Sequence, residues 1–327
     1  MQTIDALIFQ PSYDRIKNRL AEEYPYIRWI VWQFTGQFKY NGELIEASEI
    51  QPEIAWISFD VIALNMIDKF VEVALGFDSV KWIQTGHAGL DAAVYPKIRA
   101  KNIRLSKSWV QSLAIAEFVM AHSLYHLNGI PAQQKAQAEK KWQYLPFKEL
   151  SGSNVLIVGF GSIGKEVAKR LKAFGSPVTV IRQSGGATEL AQTVRTPDKL
   201  LEVLPEMDVI ILACPLTDET RDLGNQAFFE KIKKGALLIN VARGEVLVDE
   251  ALVAGLAAQK PAHAVLDVFR EEPLPGDHPF WTHPQVTVSP HTSSAGHGLF
   301  GRGDELFFDN LNRYFKQEEL IDEVREI

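Results

Sequence analysis

One glycine-rich stretch, VLIVGFGSIGKEVAKRLKAFG, constrains the fold more than any other part of this sequence. Gly159, Gly161 and Gly164 have G-x-G-x-x-G spacing, directly after an apolar run and at the start of an amphipathic segment. In a strand-turn-helix unit the first glycine permits the tight turn, the second lets the backbone approach a pyrophosphate, and the third lets the helix pack close to the strand. Ser162 and Ile163 begin that helix, whose first amides attract anions. The stretch predicts a dinucleotide-binding unit; the alternative is a strand-to-helix turn without a ligand.

The apolar runs on both sides of this turn predict an α/β protein with two sheets. After Asn154, the runs separated by amphipathic segments are NVLIVGF, PVTVI, MDVIILAC, GALLINVA, AHAVLDVF and QVTVSP. Such runs are typical of strands buried on both faces of a parallel sheet. The runs ALIF, IAWIS, VKWIQ and NIRL, which end at Leu105, predict a first open sheet. With 327 residues, of which 46% are hydrophobic and 23% charged, the chain fits two globular domains of ordinary size.

Charge and composition exclude several classes of partner. The formal net charge of -7 at pH 7, without a long Lys/Arg cluster, argues against nucleic-acid binding. No stretch approaches the roughly 20 apolar residues that span a bilayer, and the N-terminal run carries Asp5 and no basic leader. The single cysteine, Cys214, can form no internal disulfide, which fits a reducing compartment. The sequence therefore predicts a cytoplasmic protein with neither nucleic-acid nor membrane partners.

Helical segments are predicted outside these runs. SLAIAEFVMAHSLYHLNGI has helical spacing of its apolar and aromatic residues, and Gly129 and Pro131 end it. The polar segment that follows, PAQQKAQAEKKWQYLP, is either a solvated helix or an arm that reaches a second subunit. The C-terminal segment GDELFFDNLNRYFKQ has one apolar helical face and no strand after it, so it must pack on a sheet that has already formed.

The strand that follows the glycine turn ends in a cation. Arg182, with Gln183 and Ser184, stands where dinucleotide folds that bind NAD carry an acidic residue for the ribose hydroxyls. A carboxylate there would repel a 2′-phosphate, whereas a guanidinium binds it through paired charge-assisted hydrogen bonds. We therefore expect NADPH/NADP+ as the preferred cofactor, with NADH/NAD+ as the second choice. The other interpretation of Arg182 is a surface arginine at a strand end.

Polar residues directly follow three later apolar runs, in the segments NVARGEVLVDEAL, LDVFREEPLP and VTVSPHTSS. The carboxyl ends of parallel strands are where such folds place their ligands. AGLD, AIAEF and PLTDETRDL complete a series of motifs that occur in order along most of the chain. The sequence resembles the D-isomer-specific 2-hydroxyacid dehydrogenase family. Within that family, the arginine at the end of the run PVTVI makes the sequence resemble the glyoxylate/hydroxypyruvate reductase branch.

The resemblance implies a reductase active site without a metal. By matching positions, Arg243 of VARG would bind the carboxylate of a 2-oxo acid and polarise its keto oxygen, and Glu272 of EPLP would pair with His291 of SPH. Such a reduction needs a hydride delivered to the carbonyl carbon and a proton delivered to the oxygen, and histidine can carry that proton near neutral pH. A neighbouring carboxylate stabilises the imidazolium and raises its pKa.

The resemblance also implies further contacts. The backbone amides of Ala88 and Gly89 would bind the substrate carboxylate, whereas His87 departs from the family pattern and receives no role. Asp267 would face the nicotinamide carboxamide and Thr220 the pyrophosphate. The expected cofactor contacts at the later strand ends are Cys214, Pro215, Thr220, Val241, Ala242, Arg243, Asp267 and His291. We expect Cys214 to be a small buried residue and not a nucleophile.

The family's architecture implies that residues 1–106 and 292–327 form a flavodoxin-like substrate domain and that residues 107–291 form an inserted Rossmann NAD(P)-binding domain. The active site would lie in the cleft between them, with hinges near 107 and 292, and the protein would be a homodimer. The implied reaction is the NADPH-dependent reduction of a small 2-oxo acid, such as glyoxylate or hydroxypyruvate, to the D-2-hydroxy acid. The alternatives are a nucleotide-binding methyltransferase and a dinucleotide-sensing corepressor, but neither requires the set of Arg243, Glu272 and His291.

Overall fold

The computed structural model describes residues 4–324. Contacts divide the chain into two compact units. One unit contains the described residues up to Val110 together with those from His297 onward, and the other contains Gln111–Gly296. Both limits lie a few residues beyond the boundaries expected from the sequence.

The first unit is built on one mixed sheet. Its strands are β1 (Ile4–Phe9), β2 (Ile27–Trp32), β3 (Phe38–Tyr40), β4 (Glu43–Ile45), β5 (Pro52–Ile57), β6 (Trp82–Thr85) and β7 (Arg104–Ser106). Its helices are α1 (Gln10–Glu23), α2 (Phe59–Ala63), α3 (Ile67–Leu75), α4 (Val94–Ala100) and, from the C-terminal part of the chain, α11 (Leu299–Phe315). Within residues 4–324 the strand order is β4-β3-β2-β1-β5-β6-β7.

The parallel part of this sheet, from β2 to β7, has the strand order of a flavodoxin-like domain. Neither β2 nor the β3-β4 hairpin, which pairs antiparallel at the edge of the sheet, was among the strands predicted from the sequence. Asn41 and Gly42 connect the hairpin with φ angles of 50° and 87°. Two-residue hairpin turns that match the strand twist require such positive φ angles, and Asn-Gly is the dipeptide that supplies them most readily.

Alternate residues of the first sheet pack on its two faces, as the pleat requires. Leu7 and Phe9 belong to the core under α3 and α4, whereas Ala6 and Ile8 belong to the core under α11. The α11 side chain of Phe307 stacks on Trp56, with ring centroids 4.2 Å apart. The C-terminal helix therefore packs on the first sheet.

The second unit is built on a wholly parallel sheet. Its strands are β8 (Val155–Val158), β9 (Val178–Ile181), β10 (Thr193–Arg195), β11 (Val209–Leu212), β12 (Leu237–Asn240), β13 (His263–Leu266) and β14 (Val286–Val288). Its helices are α5 (Ser112–Leu127), α6 (Ile130–Ala138), α7 (Ser162–Ala173), α8 (Leu200–Val203), α9 (Gln226–Lys231) and α10 (Asp249–Ala257). The strand order of the described chain is β10-β9-β8-β11-β12-β13-β14, in which the direction of strand addition reverses between β8 and β11. Dinucleotides bind at this switch point in such sheets.

The predicted long helix is α5, and Gly129, with a φ of 65°, follows its end. The polar segment after it forms α6, in which Ala136 is the buried residue, and then continues without regular structure. Trp142 and Tyr144 in that continuation are almost fully exposed. No helix within residues 4–324 is both long and apolar enough to cross a lipid bilayer.

Candidate active site

The glycine turn lies between β8 and α7. Gly159 has a φ of 95°, and a Cβ atom there would lie 2.5 Å from the carbonyl oxygen of Ala213. A Cβ on Gly164 would overlap the carbonyl oxygen of Gly159. Gly161 differs, because no atom lies within 4 Å of its Cβ position. Packing of the turn therefore requires glycine at positions 159 and 164, whereas Gly161 borders open space beside the amino end of α7.

The amino end of α7 is suited to an anion. Gly161 precedes the helix and supplies no side-chain cap. The amides of the first turn, which include those of Ser162 and Ile163, have no acceptor within the helix itself and carry the positive end of the helix dipole. The open space and the free donors together fit the pyrophosphate of a dinucleotide.

Arg182 follows β9 and folds over its own loop. Its Nη2 donates hydrogen bonds to the carbonyl oxygens of Gly185 (3.1 Å) and Gly186 (2.8 Å). The guanidinium carbon lies 5.4 Å from the ring centroid of Phe160, inside the glycine turn. Nε is buried and has no acceptor among residues 4–324. A guanidinium has five N–H groups, so Nε and Nη1 can serve a phosphate while Nη2 holds the loop in which Gln183 and Ser184 are exposed.

A second cation, which the sequence analysis did not select, lies at the same edge of the sheet. Strand β10 pairs with β9 so that Arg195 lies opposite Ile181. The Arg182 amide donates a hydrogen bond to the Arg195 carbonyl oxygen (3.1 Å). Strand pairing alone places Arg195 here, and the short run TVR carries no periodicity from which its position could be predicted.

The turn after β11 contains three of the expected cofactor contacts. Burial raises the pKa of the Cys214 thiol to about 11, so this cysteine is a neutral thiol near neutral pH and a poor nucleophile. Thr220 Oγ1 donates to the Pro215 carbonyl oxygen (2.7 Å) and accepts from the Thr217 amide (2.8 Å). The Thr220 hydroxyl therefore closes the turn over residues 215–220.

Arg243 follows β12, and Asn240 fixes its backbone. The buried Asn240 side chain donates from Nδ2 to the Arg243 carbonyl oxygen and accepts at Oδ1 from the Ala242 amide, each at 3.0 Å. Val241 and Ala242 are themselves buried. The Arg243 side chain donates from Nη1 to the Ala242 carbonyl oxygen (2.7 Å). Arg243 was predicted from its motif, whereas the buried Asn240 amide that holds its backbone was not.

Gly244 lets the loop after β12 pack against the loop after β13. A Cβ on Gly244 would overlap the backbone of Phe269, so no other residue fits there without displacement of the loop. The Phe269 amide in turn donates to Oε1 of Glu272 (2.9 Å). This close packing of two backbones brings the loops of Arg243 and Glu272 together.

Glu272 and His291, which follow different strands, form a hydrogen-bonded pair. Glu272 Oε2 lies 2.7 Å from His291 Nδ1. This hydrogen bond raises the pKa of His291, with burial and the charge of Arg243 acting in the opposite direction. Burial acts to raise the pKa of Glu272, but the hydrogen bonds from His291 and the Phe269 amide outweigh it, so that pKa is lowered. The pair therefore favours an imidazolium beside a carboxylate, which is the arrangement of a general acid.

Asp267 holds the loop that carries His291. The carboxylate is 1% exposed and accepts hydrogen bonds from the hydroxyls of Ser289 and Ser293 and from the amides of Thr292 and Ser293. The Asp267 carbonyl oxygen accepts from the His291 amide (2.8 Å), and His291 has a φ of 53°. Both carboxylate oxygens are thus engaged by the His291 loop, a role that the motif LDVF did not reveal.

In the first unit, the loop after β6 has a fixed start and two amides without acceptors. The His87 amide donates to Thr85 Oγ1 (3.2 Å), and the His87 carbonyl oxygen accepts from the Ser108 amide (2.9 Å). The next two amides, those of Ala88 and Gly89, have no acceptor in the described part of the chain. They are hydrogen-bond donors that a carboxylate would satisfy.

Comparison with known proteins identifies the family. Residues 120–293 match the family model described as "D-isomer specific 2-hydroxyacid dehydrogenase, NAD binding domain". This chain belongs to the D-isomer-specific 2-hydroxyacid dehydrogenase family. The family expected from the motifs is thereby confirmed, and the protein is an oxidoreductase with an NAD(P)-binding Rossmann domain.

Members of this 2-hydroxyacid dehydrogenase family with similar sequences carry reductase names. Glyoxylate/hydroxypyruvate reductase A of Yersinia enterocolitica is 32% identical over 220 residues, which cover 67% of this chain and 68% of the relative. The human glyoxylate reductase/hydroxypyruvate reductase is 32% identical over 297 residues, which cover 87% of this chain and 89% of the relative.

A solved family member has the same fold. The D-isomer specific 2-hydroxyacid dehydrogenase of Xanthobacter autotrophicus Py2, crystallised in complex with NADPH and MES, superposes with a TM-score of 0.79 at 25% identity and covers 98% of each chain. Two α/β domains, each built around a parallel sheet, are therefore confirmed as the fold class, with the antiparallel β3-β4 hairpin as an addition at the edge of the first sheet.

Proposed function

We propose that this dehydrogenase reduces a small 2-oxo acid, of the glyoxylate or hydroxypyruvate type, to the D-2-hydroxy acid with NADPH. The observation that carries this proposal is the 2.7 Å hydrogen bond between Glu272 and His291. Arg243 is close enough for its charge to act in the direction that lowers the pKa of both residues. The names of the human and Yersinia relatives support the substrate class.

Three side chains would perform the chemistry. Bound NADPH would supply the hydride for the carbonyl carbon. Arg243 binds the substrate carboxylate and polarises the keto oxygen, because a guanidinium offers paired donors to such a group. His291 gives its proton to that oxygen as negative charge develops there, and Glu272 stabilises the imidazolium before the transfer. In the direction of oxidation, neutral His291 takes the hydroxyl proton back.

Donors in the first unit would complete the binding of the substrate. We assign to the Ala88 and Gly89 amides hydrogen bonds to the substrate carboxylate. The support is that neither amide has an acceptor within residues 4–324.

Cofactor binding is assigned to the turn and strand-end residues of the second unit. The amides of Ser162 and Ile163 would bind the pyrophosphate at the amino end of α7. Arg182 would bind the 2′-phosphate, with Gln183 and Ser184 as additional donors, which favours NADPH over NADH. The remaining proposed contacts are Gly159, Gly161, Gly164, Cys214, Pro215, Thr220, Val241, Ala242 and Asp267. The Xanthobacter relative that binds NADPH supports this choice of cofactor.

One assay tests the reaction. The protein is mixed with NADPH and a panel of 2-oxo acids, and the loss of NADPH absorbance is followed for the wild type, Arg243→Ala and His291→Ala. Arg313→Ala, which alters a surface arginine paired with Glu318, is the control. We expect turnover by the wild type and the control, and losses of at least a hundredfold in the other two variants. A wild type that binds NADPH but turns over no acid would favour the dinucleotide-sensing alternative.

We also propose a homodimer. The segment after α6 exposes large aromatic side chains, with Trp142 and Tyr144 at 105% and 91% and Phe147 at 54% exposure, and such clusters on a soluble protein are typical of interaction surfaces. Light scattering coupled to gel filtration should report twice the mass of 36.7 kDa, and Trp142→Ser should shift the protein toward the monomer. A monomeric wild type would contradict the proposal.

A further inference from the structure

We propose that Tyr95 is a positioning residue for the substrate: its buried hydroxyl fixes the ring of His87, and thereby the loop that carries the Ala88 and Gly89 amides. The inference rests on the proposed function, because it assigns those amides to the carboxylate of a 2-oxo acid. It gives a role to His87, the residue that departs from the family motif.

A chain of three hydrogen bonds links Tyr95 to this loop. Tyr95 Oη lies 2.8 Å from Thr85 Oγ1 and 2.7 Å from His87 Nδ1. Thr85 Oγ1 also accepts from the His87 amide at 3.2 Å. Thr85 and Tyr95 are both 0% exposed, so solvent does not reach either of these two residues. The side chain and the amide of His87 are therefore both held by the same pair of buried hydroxyls.

The direction of the hydrogen bonds follows from the need to satisfy each buried hydroxyl. Burial raises the pKa of Tyr95, so this phenol keeps its proton. Within residues 4–324, the only acceptor near the Thr85 hydroxyl is Tyr95 Oη. Thr85 therefore donates to Tyr95, and Tyr95 donates to Nδ1 of His87. The reverse direction would leave the buried Thr85 hydroxyl without an acceptor, which is unfavourable because a buried donor loses its hydrogen bond to water.

The consequence for His87 is a single tautomer and a single ring orientation. Because Nδ1 accepts a hydrogen bond, the hydrogen of the neutral ring lies on Nε2. The His87 carbonyl oxygen is held as well, by the Ser108 amide at 2.9 Å. With the ring, the amide and the carbonyl of His87 all fixed, the next two peptide groups begin from a rigid anchor. Such rigidity lowers the entropy cost of binding a carboxylate.

Tyr95→Phe removes the hydroxyl and keeps the ring. The first readout needs no substrate: two-dimensional 15N NMR of the imidazole rings should show His87 with a hydrogen on Nε2 in the wild type and a mixture of tautomers in Tyr95→Phe and in Thr85→Val. A wild-type His87 with its hydrogen on Nδ1 would overturn the inference, whatever the enzyme reduces.

The second readout is kinetic. We expect Tyr95→Phe to raise the KM for glyoxylate on the order of tenfold, which is the change in affinity that corresponds to roughly one hydrogen bond. The change in kcat should be smaller, and the KM for NADPH should not change. A role in stability alone would lower the amount of active enzyme and leave the KM for glyoxylate unchanged. Tyr24→Phe is the matched control, because it removes another buried hydroxyl of the first unit, which donates to Asn312 at 3.0 Å.

Substitutions of His87 test whether the imidazole ring itself is needed or only its hydrogen bond with Tyr95. His87→Asn keeps an acceptor for the Tyr95 hydroxyl and should retain most of the wild-type affinity for glyoxylate, whereas His87→Ala should match Tyr95→Phe. The double variant with Tyr95→Phe and His87→Ala should be no worse than either single variant, because both act through the same contact. Additive losses, or an unchanged KM in Tyr95→Phe, would overturn the inference. An inactive wild type would instead refute the proposed function.

Discussion

Replacement of Arg182 by methionine tests how this protein distinguishes its cofactors. In the structure, Nη2 of Arg182 holds the loop through the Gly185 and Gly186 carbonyl oxygens, whereas Nε is buried without an acceptor. Methionine keeps an unbranched apolar stem beside Phe160 and removes every donor and the charge. The loop bonds are lost in the presence of either cofactor, but the contacts to a 2′-phosphate are lost only with NADPH.

The magnitude follows from the donors that remain available to a phosphate. A hydrogen bond to a charged group contributes about 1.5–3 kcal/mol, and each 1.4 kcal/mol is tenfold in affinity. If Nε and Nη1 both reach the phosphate, partial screening by solvent at this half-exposed edge leaves an effect of roughly 10- to 100-fold on the Kd of NADPH. The Kd of NADH should change less than about threefold, since it has no group for this cation to bind.

The assay is titration of each variant with NADPH and NADH, followed by quenching of tryptophan fluorescence, at low and high salt. Lys199→Met removes one exposed positive charge, which is paired with Glu202, and should leave both dissociation constants unchanged. Arg195→Met should weaken NADPH binding less than Arg182→Met does. If Arg182→Met has the same ratio of the Kd of NADPH to the Kd of NADH as the wild type, the reasoning is refuted. Any loss of affinity would then come from the altered loop and not from lost contacts to the 2′-phosphate.

Four further predictions concern catalysis and stability. His291→Asn should lower kcat on the order of 10²- to 10⁴-fold without changing the Kd of NADPH; steady-state kinetics with near-normal kcat would contradict it. Glu272→Gln keeps an oxygen that can accept from His291 but removes the negative charge that helps to raise the pKa of His291. The reductase needs the protonated ring, so this variant should lose kcat/KM at lower pH than the wild type; a pH profile with an unmoved alkaline limb would exclude this role. Gly244→Ala overlaps a backbone and should destabilise the fold by at least about 2 kcal/mol in urea unfolding. Burial lowers the pKa of His126 to about 3 and that of His263 to about 4, below the value of about 6.5 in the unfolded chain. Because the unfolded chain then binds protons that the folded protein does not, the free energy of unfolding should fall as the pH decreases from about 6.5 toward 4. Urea unfolding at several pH values should show a smaller decrease when both histidines are replaced by glutamine.

The sequence was most informative where a local pattern has only one structural meaning. The spacing of Gly159, Gly161 and Gly164 predicted the turn, and the apolar runs around it predicted the parallel sheet, because buried parallel strands must be apolar on both faces. The same reasoning missed the β3-β4 hairpin, although Asn41 and Gly42 are a strong turn signal. Its strands are short, lie at the edge and are half exposed, so they lack the apolar run that marked the others.

The sequence by itself determined the α/β class, the dinucleotide turn and the set of polar residues at strand ends, because these depend on short-range patterns of burial and backbone conformation. Tertiary structure alone decided which of those residues meet. The pairing of β10 with β9 placed Arg195 beside the Arg182 loop, and the close approach of backbones at Gly244 brought the Arg243 and Glu272 loops together. The bonds of Tyr95 to Thr85 and His87 likewise depend on helix α4 packing against β6. Such contacts join residues that are separated along the chain, and a hydrogen bond requires an accuracy of a few tenths of an ångström, which no periodicity in a sequence specifies.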